Sequence, residues 1–153
     1  MSFLEHKIPP PVVALFFGIC MWFAAQLGLQ INLPLWLSRT LTAATLILGL
    51  LLPIAGSIEF RKVKTIISPL QPEQASTLVT SGVFHYSSNP MYLGISLILV
   101  AWAIYLSSLG ALMLVPIFML YIDRFQIQPE ERALAAKFGD EFDSYRQSVR
   151  RWL

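Results

Sequence analysis

The chain has 153 residues, 56% of them hydrophobic and 13% charged, with a mean hydropathy of +0.62 and a net charge of +2. This balance indicates an integral membrane protein, and spans of about 20 residues each leave no room for a separate soluble catalytic domain. The small, scattered positive charge excludes a phosphate-binding surface for nucleic acid, and the single cysteine, Cys20, excludes an intrachain disulfide.

The N-terminal stretch MSFLEHKIPPP is not expected to be a cleaved signal, because Glu5 accompanies its one lysine and no small-residue cleavage site closes the following apolar run. Val12 to Leu29 is apolar apart from Gln26, and Pro9 to Pro11 can start a helix without continuing one backwards, so a first span is expected over about 12–30. Asn32 and Pro34 break it. A second span is expected over about 37–58, punctuated by Gly49 and Pro53, with a possible kink at the proline.

Glu59, Arg61, Lys62 and Lys64 then mark an exit into water, followed by a hydroxyl-rich connector from Thr65 to Ser81. Met91 to about residue 107 reads as a third span and Leu109 to about 124 as a fourth, joined by a tight turn at Ser107, Ser108 and Gly110. The fourth apolar run is short and contains Pro116, so it is expected to lean on its neighbours or extend past Asp123 and Arg124. Alternating the loops leaves Arg39 as the one basic residue on its side. The positive-inside rule then puts both termini and the 59–90 loop in the cytoplasm of an inner or plasma membrane. From Pro129 to about 149 the pattern turns amphipathic, with Leu134, Phe138, Phe142, Tyr145, Val149 and Trp152 recurring at steps of three and four. Gly139 interrupts this helix and is expected to mark a bend or a close approach. The fold class is therefore all-α, a membrane bundle of about four helices in one domain, with a cytoplasmic cofactor loop and a C-terminal amphipathic helix.

The polar stretch LVTSGVFHYSSNPMYLG, residues 78–94, stands out between the apolar segments. Gly82 and Gly94 would let backbone approach a ligand, and the start of a helix at Asn89-Pro90 presents free N–H groups to a carboxylate. The same Asn-Pro pair is also an ordinary helix start, with asparagine capping and proline in first position. Glu130 lies on the inward stripe of the C-terminal helix and Glu131 about 100° around it. A carboxylate on a buried face needs a partner, although carboxylates in a first turn are also favoured by the helix dipole. The two histidines, His6 and His85, have no second ligand at metal-binding spacing, so no metal is expected. Hydrolase motifs are absent.

From Leu78 to Leu153 the chain resembles the isoprenylcysteine carboxyl methyltransferase family of membrane enzymes and, more distantly, the phospholipid N-methyltransferases. The residues that carry this are Leu78 to Gly82, Asn89 to Gly94, Glu130-Glu131-Arg132, Phe138-Gly139 with Tyr145, and Arg151-Trp152. The resemblance implies an S-adenosylmethionine cleft at the cytoplasmic membrane face, closed by the C-terminal helix, with a lipophilic or lipid substrate entering from the lipid side. It implies a cofactor set of Gly82, His85, Asn89, Pro90, Tyr92, Leu93, Gly94, Glu130 and Glu131. Asn89 takes the place of a common family histidine, and His85 and Ser88 stand where relatives often have arginine. If those arginines hold an anionic cofactor tail or substrate carboxylate, either Arg146 or Arg150 acts beside Glu130 in their stead or the substrate is a different one.

Methyl transfer from a sulfonium is an in-line displacement that needs alignment and exclusion of water, which suits a cleft with few ionisable groups. The acceptor is left open among a carboxylate, a thiol and an amine. A proton-coupled transporter would need an ionisable group within the membrane, and all nine acidic residues fall outside the expected spans or at their ends. An NADPH-dependent reductase of related architecture would want more arginine around the loop, and a non-catalytic membrane scaffold is the remaining alternative.

Overall fold

The protein is described by a computed structural model over residues 8–63 and 76–153. The expectations for Glu5, His6, Lys7, Lys64, Glu73 and most of the connector lie outside those residues. Within them the chain is helical, with no strand and a single antiparallel bridge, Gln30 to Ser108.

Helix α1, Pro10–Ala25, begins on its proline pair, where a missing N–H costs nothing. It stops five residues earlier than the expected span end at 30. Gly28 takes a left-handed conformation (φ 81°), and the chain continues extended, with Leu29 and Ile31 exchanging backbone hydrogen bonds with Leu109 and Ser107. The end of the predicted first span thus lids the turn between the third and fourth helices. Helix α2, Leu35–Lys62, runs 28 residues unbroken through Pro53, so the possible kink is not a break. Its hydroxyls are satisfied inside the helix, Thr45 and Ser57 donating to the carbonyls of Leu41 and Pro53, as a low-dielectric surrounding requires.

Helices α3, Pro90–Tyr105, and α4, Leu109–Ile122, form the expected hairpin. Ser107 turns it with φ 50°, and the Ser108 hydroxyl caps α4 by accepting from the Ala111 N–H at 3.1 Å. Beyond Ile122 the helix does not end. A π-helical turn, Asp123–Ile127, carries it directly into α5, Gln128–Phe138. The predicted single helix over 129–149 is therefore two: Gly139 (φ 52°, ψ −126°) breaks it, and α6 follows over Asp140–Ser148.

Helix α3 is the hub: α2 packs along it, and α1 and α4 pack against it and each other. Met21, Ala103, Ala111, Phe118, Ile122 and Ile127 are fully enclosed at the centre. A second, smaller cluster joins Phe142, Tyr145 and Val149 of the C-terminal region to Leu134, Phe138 and Leu78, confirming the amphipathic stripe. Large apolar side chains of α1, α2 and α4, among them Phe16, Ile47, Leu51 and Leu120, face outward. In water that surface would be a severe liability, whereas in lipid it is the solvated face. Two helices, α2 and the continuous Leu109–Phe138, are long and apolar enough to cross a membrane. The two shorter apolar helices, α1 and α3, have 16 residues each.

The α2–α3 contact is a close backbone approach. A Cβ on Gly94 would lie 2.5 Å from Pro53 Cδ and 2.7 Å from the Gly49 carbonyl oxygen. Small residues at such a crossing let helices associate without a hydrophobic driving force. Gly94→Ala should therefore destabilise the protein by about 1–3 kcal/mol through overpacking. Gly18→Ala, whose Cβ meets nothing within 4 Å, should be neutral or slightly stabilising. Thermal unfolding of the two variants in detergent, followed by circular dichroism, distinguishes them.

Candidate functional site

At one end of the bundle the start of α1, the end of α2, the start of α3 and the α5–α6 pair enclose a cavity of about 220 Å³. The segment before α3 is built into its wall from both sides. On one side Ser81 donates to the Glu59 carboxylate at 2.8 Å, and Gly82, at φ 61°, sits so closely over Glu59 that a Cβ would come within 2.6 Å of it. Phe84 packs edge-on against Phe60, with ring centroids 5.2 Å apart. On the other side the Tyr145 hydroxyl donates to the Phe84 carbonyl at 2.7 Å, and burial pushes that phenol's pKa upward.

The π-helical turn swings α5 over the start of α3. There the Tyr92 hydroxyl donates to Glu130 Oε2 at 3.1 Å across a separation of 38 residues. Burial pushes the Glu130 carboxyl up to about 7. The Tyr92 hydrogen bond opposes that rise and the neighbouring Glu131 charge adds to it. Glu131 is differently placed. Arg151 Nε and Nη2 clamp both its oxygens at 2.8 Å each, and Arg146 Nη2 stands 3.7 Å away. The same Arg151 donates to Asp123 Oδ1 at 3.1 Å, and this double anchoring raises its own pKa.

The C-terminal residues form a strap. The Ser88 N–H donates to the Arg150 carbonyl at 2.9 Å, while the Ser87 hydroxyl and Asn89 Nδ2 donate to the Arg151 carbonyl at 3.3 and 3.2 Å. Trp152 packs against the main core. These contacts tie the polar segment to the chain's last residues and hold Glu131 at the cavity wall.

The cavity brings together Asn89, Pro90, Tyr92, Glu130, Glu131 and Arg146, six of the residues singled out from sequence. The others stand elsewhere. Gly82 faces Glu59, and Gly94 faces Pro53 and Gly49, where the missing side chains permit close loop and helix packing. His85 is exposed against the Tyr86 ring, and Leu93 is buried outside the cavity lining. Asn89 occupies the N-cap position of α3 but makes no side-chain cap bond, and its Nδ2 donates to the Arg151 carbonyl and the Ser88 hydroxyl. Arg150 contributes its carbonyl to Ser88 and its exposed side chain is not in the lining, so Arg151 holds the structural cation position near this site. The sequence marked Arg151 only as part of a matching motif. Its role depends on Asp123 and Glu131, 28 and 20 residues away, and no local pattern displays such a pairing.

Arg151→Ala should leave Glu131 with only the more distant Arg146 and Asp123 without its guanidinium, and cost about 1–3 kcal/mol, since part of the desolvation penalty of the remaining charges is then unmet. Arg150→Ala should stay within about 0.5 kcal/mol of the parent, as for exposed positions generally. Denaturant titration of the two proteins in detergent checks the contrast.

Comparison with known proteins is consistent with a membrane enzyme. Over 63 residues the chain is 52% identical to an uncharacterized protein of Haemophilus influenzae, an overlap covering 41% of this chain and all of that protein. No solved structure matches significantly. The sequence profile of the phospholipid methyltransferase family matches residues 37–141, which takes in α2, α3, α4 and the Tyr92–Glu130 pair. Of the two resemblances read from the sequence, it is the more distant one that this match supports: the chain belongs to the phospholipid methyltransferase family.

Proposed function

We propose that the protein transfers a methyl group from S-adenosylmethionine to a lipophilic, membrane-accessible acceptor, and that the cavity around Tyr92 and Glu130 is where the cofactor binds. The observation that carries this reading is the Tyr92–Glu130 hydrogen bond, which joins the two polar motifs at one cavity wall. The residues present suit the group. Its positive charges would be met chiefly by Glu130, since Arg151 already occupies both oxygens of Glu131, and its adenine by the apolar walls of Phe60, Phe84, Leu134 and Phe142. At about 220 Å³, against roughly 300–1,000 Å³ for typical ligand pockets, the described cavity would enclose part of such a ligand.

S-adenosylmethionine supplies an electrophilic methyl on a positively charged sulfur. Tyr92 fixes the orientation of the Glu130 carboxylate, and Arg151 and Arg146 pair with Glu131 at the adjoining wall. The apolar lining excludes water and so strengthens every charge interaction inside. Glu130, poised near neutrality, is also suited to accept the proton that an amine or thiol acceptor must lose, a task His85 cannot perform from outside the cavity. The family description favours a lipid headgroup amine as acceptor. Carboxyl methylation of a prenylated cysteine is the alternative, and it would need no base. In our reading α1 to α4 make four crossings. Of the described basic side chains only Arg39 lies at the far end, so the cavity and both termini would face the cytoplasm.

Glu130 titration has opposite effects on the empty and loaded protein. Its raised value means that the free fold keeps this contribution to stability at low pH and loses it as pH rises through about 7. The cofactor's cations prefer the ionised carboxylate, so affinity should increase several-fold between roughly pH 6 and 7.5. Glu130→Gln should bind S-adenosylmethionine at least roughly tenfold more weakly and without that pH dependence. Isothermal titration calorimetry in detergent measures both. Equal affinity in parent and variant would remove the site assignment, and NADPH binding in place of S-adenosylmethionine would favour a reductase.

A further inference from the structure

A second and larger cavity, of about 770 Å³, lies inside the apolar zone between α1 and α2, with α3 as its floor. It adjoins the first: Pro11 lines both, and Ile95 of the first and Ile98 of the second are neighbours along α3. Its walls are apolar apart from Thr42, whose buried hydroxyl oxygen has no partner. From Pro11 to Trp22 it runs along α1, a separation of roughly 16 Å at the helical rise. That is about the depth of one leaflet's hydrocarbon, half of the ~30 Å core. At the far end Trp102 donates its indole N–H to the Gly18 carbonyl at 3.1 Å and stacks on Tyr105, with centroids 5.5 Å apart and planes at 13°. Gly18 keeps the cleft open, because its absent side chain would point into free space.

We propose that this cleft seats one hydrocarbon chain of the methyl acceptor, and that Trp22, Trp102 and Tyr105 at its far end limit the chain to about one leaflet's length. The proposal rests on the functional reading above, since the head of a chain lying in the cleft emerges at Pro11, beside Tyr92 and Glu130. The occupant is a hydrocarbon tail because the cleft offers it apolar contact throughout, opens within the membrane and continues into the polar cavity. A headgroup and its tail would then be held by two adjoining sites, each matched in polarity. Specificity would follow from tail length as well as from headgroup chemistry.

Gly18→Leu adds bulk to the cleft from α1 at a position where a Cβ meets nothing within 4 Å, and Thr42→Leu narrows it from α2 while removing an unpaired hydroxyl. The test uses the full chain in phosphatidylcholine nanodiscs with two photoreactive probes, alkyl amines of roughly sixteen and eight carbons, each with a diazirine at its far end. Adducts are mapped by mass spectrometry, and S-adenosylmethionine binding is measured on the same samples. The long probe should label the vicinity of Trp22, Trp102 and Tyr105, and the short one should label nearer Pro11. Either leucine variant should cut cleft labelling at least roughly tenfold, as expected when apolar contact is displaced, and leave cofactor affinity unchanged. Labelling spread over the outward leucines of α2, or undiminished in both variants, would overturn the proposal. The expected labelling in a protein that binds no S-adenosylmethionine would sustain the tail site and overturn the methyltransferase reading alone.

Discussion

Glu130 reaches the phenol of Tyr92 because the fourth apolar helix does not stop where its apolar sequence stops. At Asp123 the helix widens for one π-helical turn, and the added residue rotates the rest of the helix so that α5 lies over the start of α3. Such turns are uncommon and often mark functional positions, since they cost hydrogen-bond quality that neighbouring contacts must offset. Here those contacts are identifiable. Asp123 accepts from Arg151 and from Gln128, and the enclosed Gln126 donates to the Ile8 carbonyl at 2.9 Å. The turn is thus held by the C-terminal strap on one side and by the approach to α1 on the other.

The strap changes how the polar segment before α3 is understood. Ser87, Ser88 and Asn89 look like ligand-binding residues in isolation, yet their polar groups are largely engaged by the carbonyls of Arg150 and Arg151. What remains for a ligand is the lining that this arrangement exposes: the phenol, the two carboxylates, one arginine at the rim and apolar walls. Unequal treatment of the two glutamates arises from the same geometry. Glu131 is neutralised by a bidentate guanidinium, while Glu130 is met by a phenol and left near its titration point. One carboxylate is tied into the fold, and in our proposal the other is the one available for chemistry.

Much of the architecture was legible in the sequence because lipid imposes a simple rule, that apolar runs become helices with their backbone groups satisfied internally. The two proline starts, the hairpin at Ser107 and Ser108, the break at Gly139 and the stripe from Leu134 to Val149 are consequences of local chemistry. What the glycines accommodate was not legible, for an equally physical reason. A glycine reports that something comes close, and only the packed structure shows that Pro53 meets Gly94 and Glu59 meets Gly82. Arg150 and Arg151 are likewise adjacent in a polar tail and differ only in what faces them.

By itself, the sequence determined membrane residence, the helical class and the two polar segments that would have to meet, because composition and periodicity act over a few residues. The tertiary structure alone decided which of those polar groups share a cavity, which arginine carries structure, and that an apolar cleft adjoins the polar site. Those outcomes depend on contacts between residues 20 to 118 positions apart. Such contacts are selected by packing and by the cost of leaving a charge unpaired, and neither is encoded in any single stretch of chain.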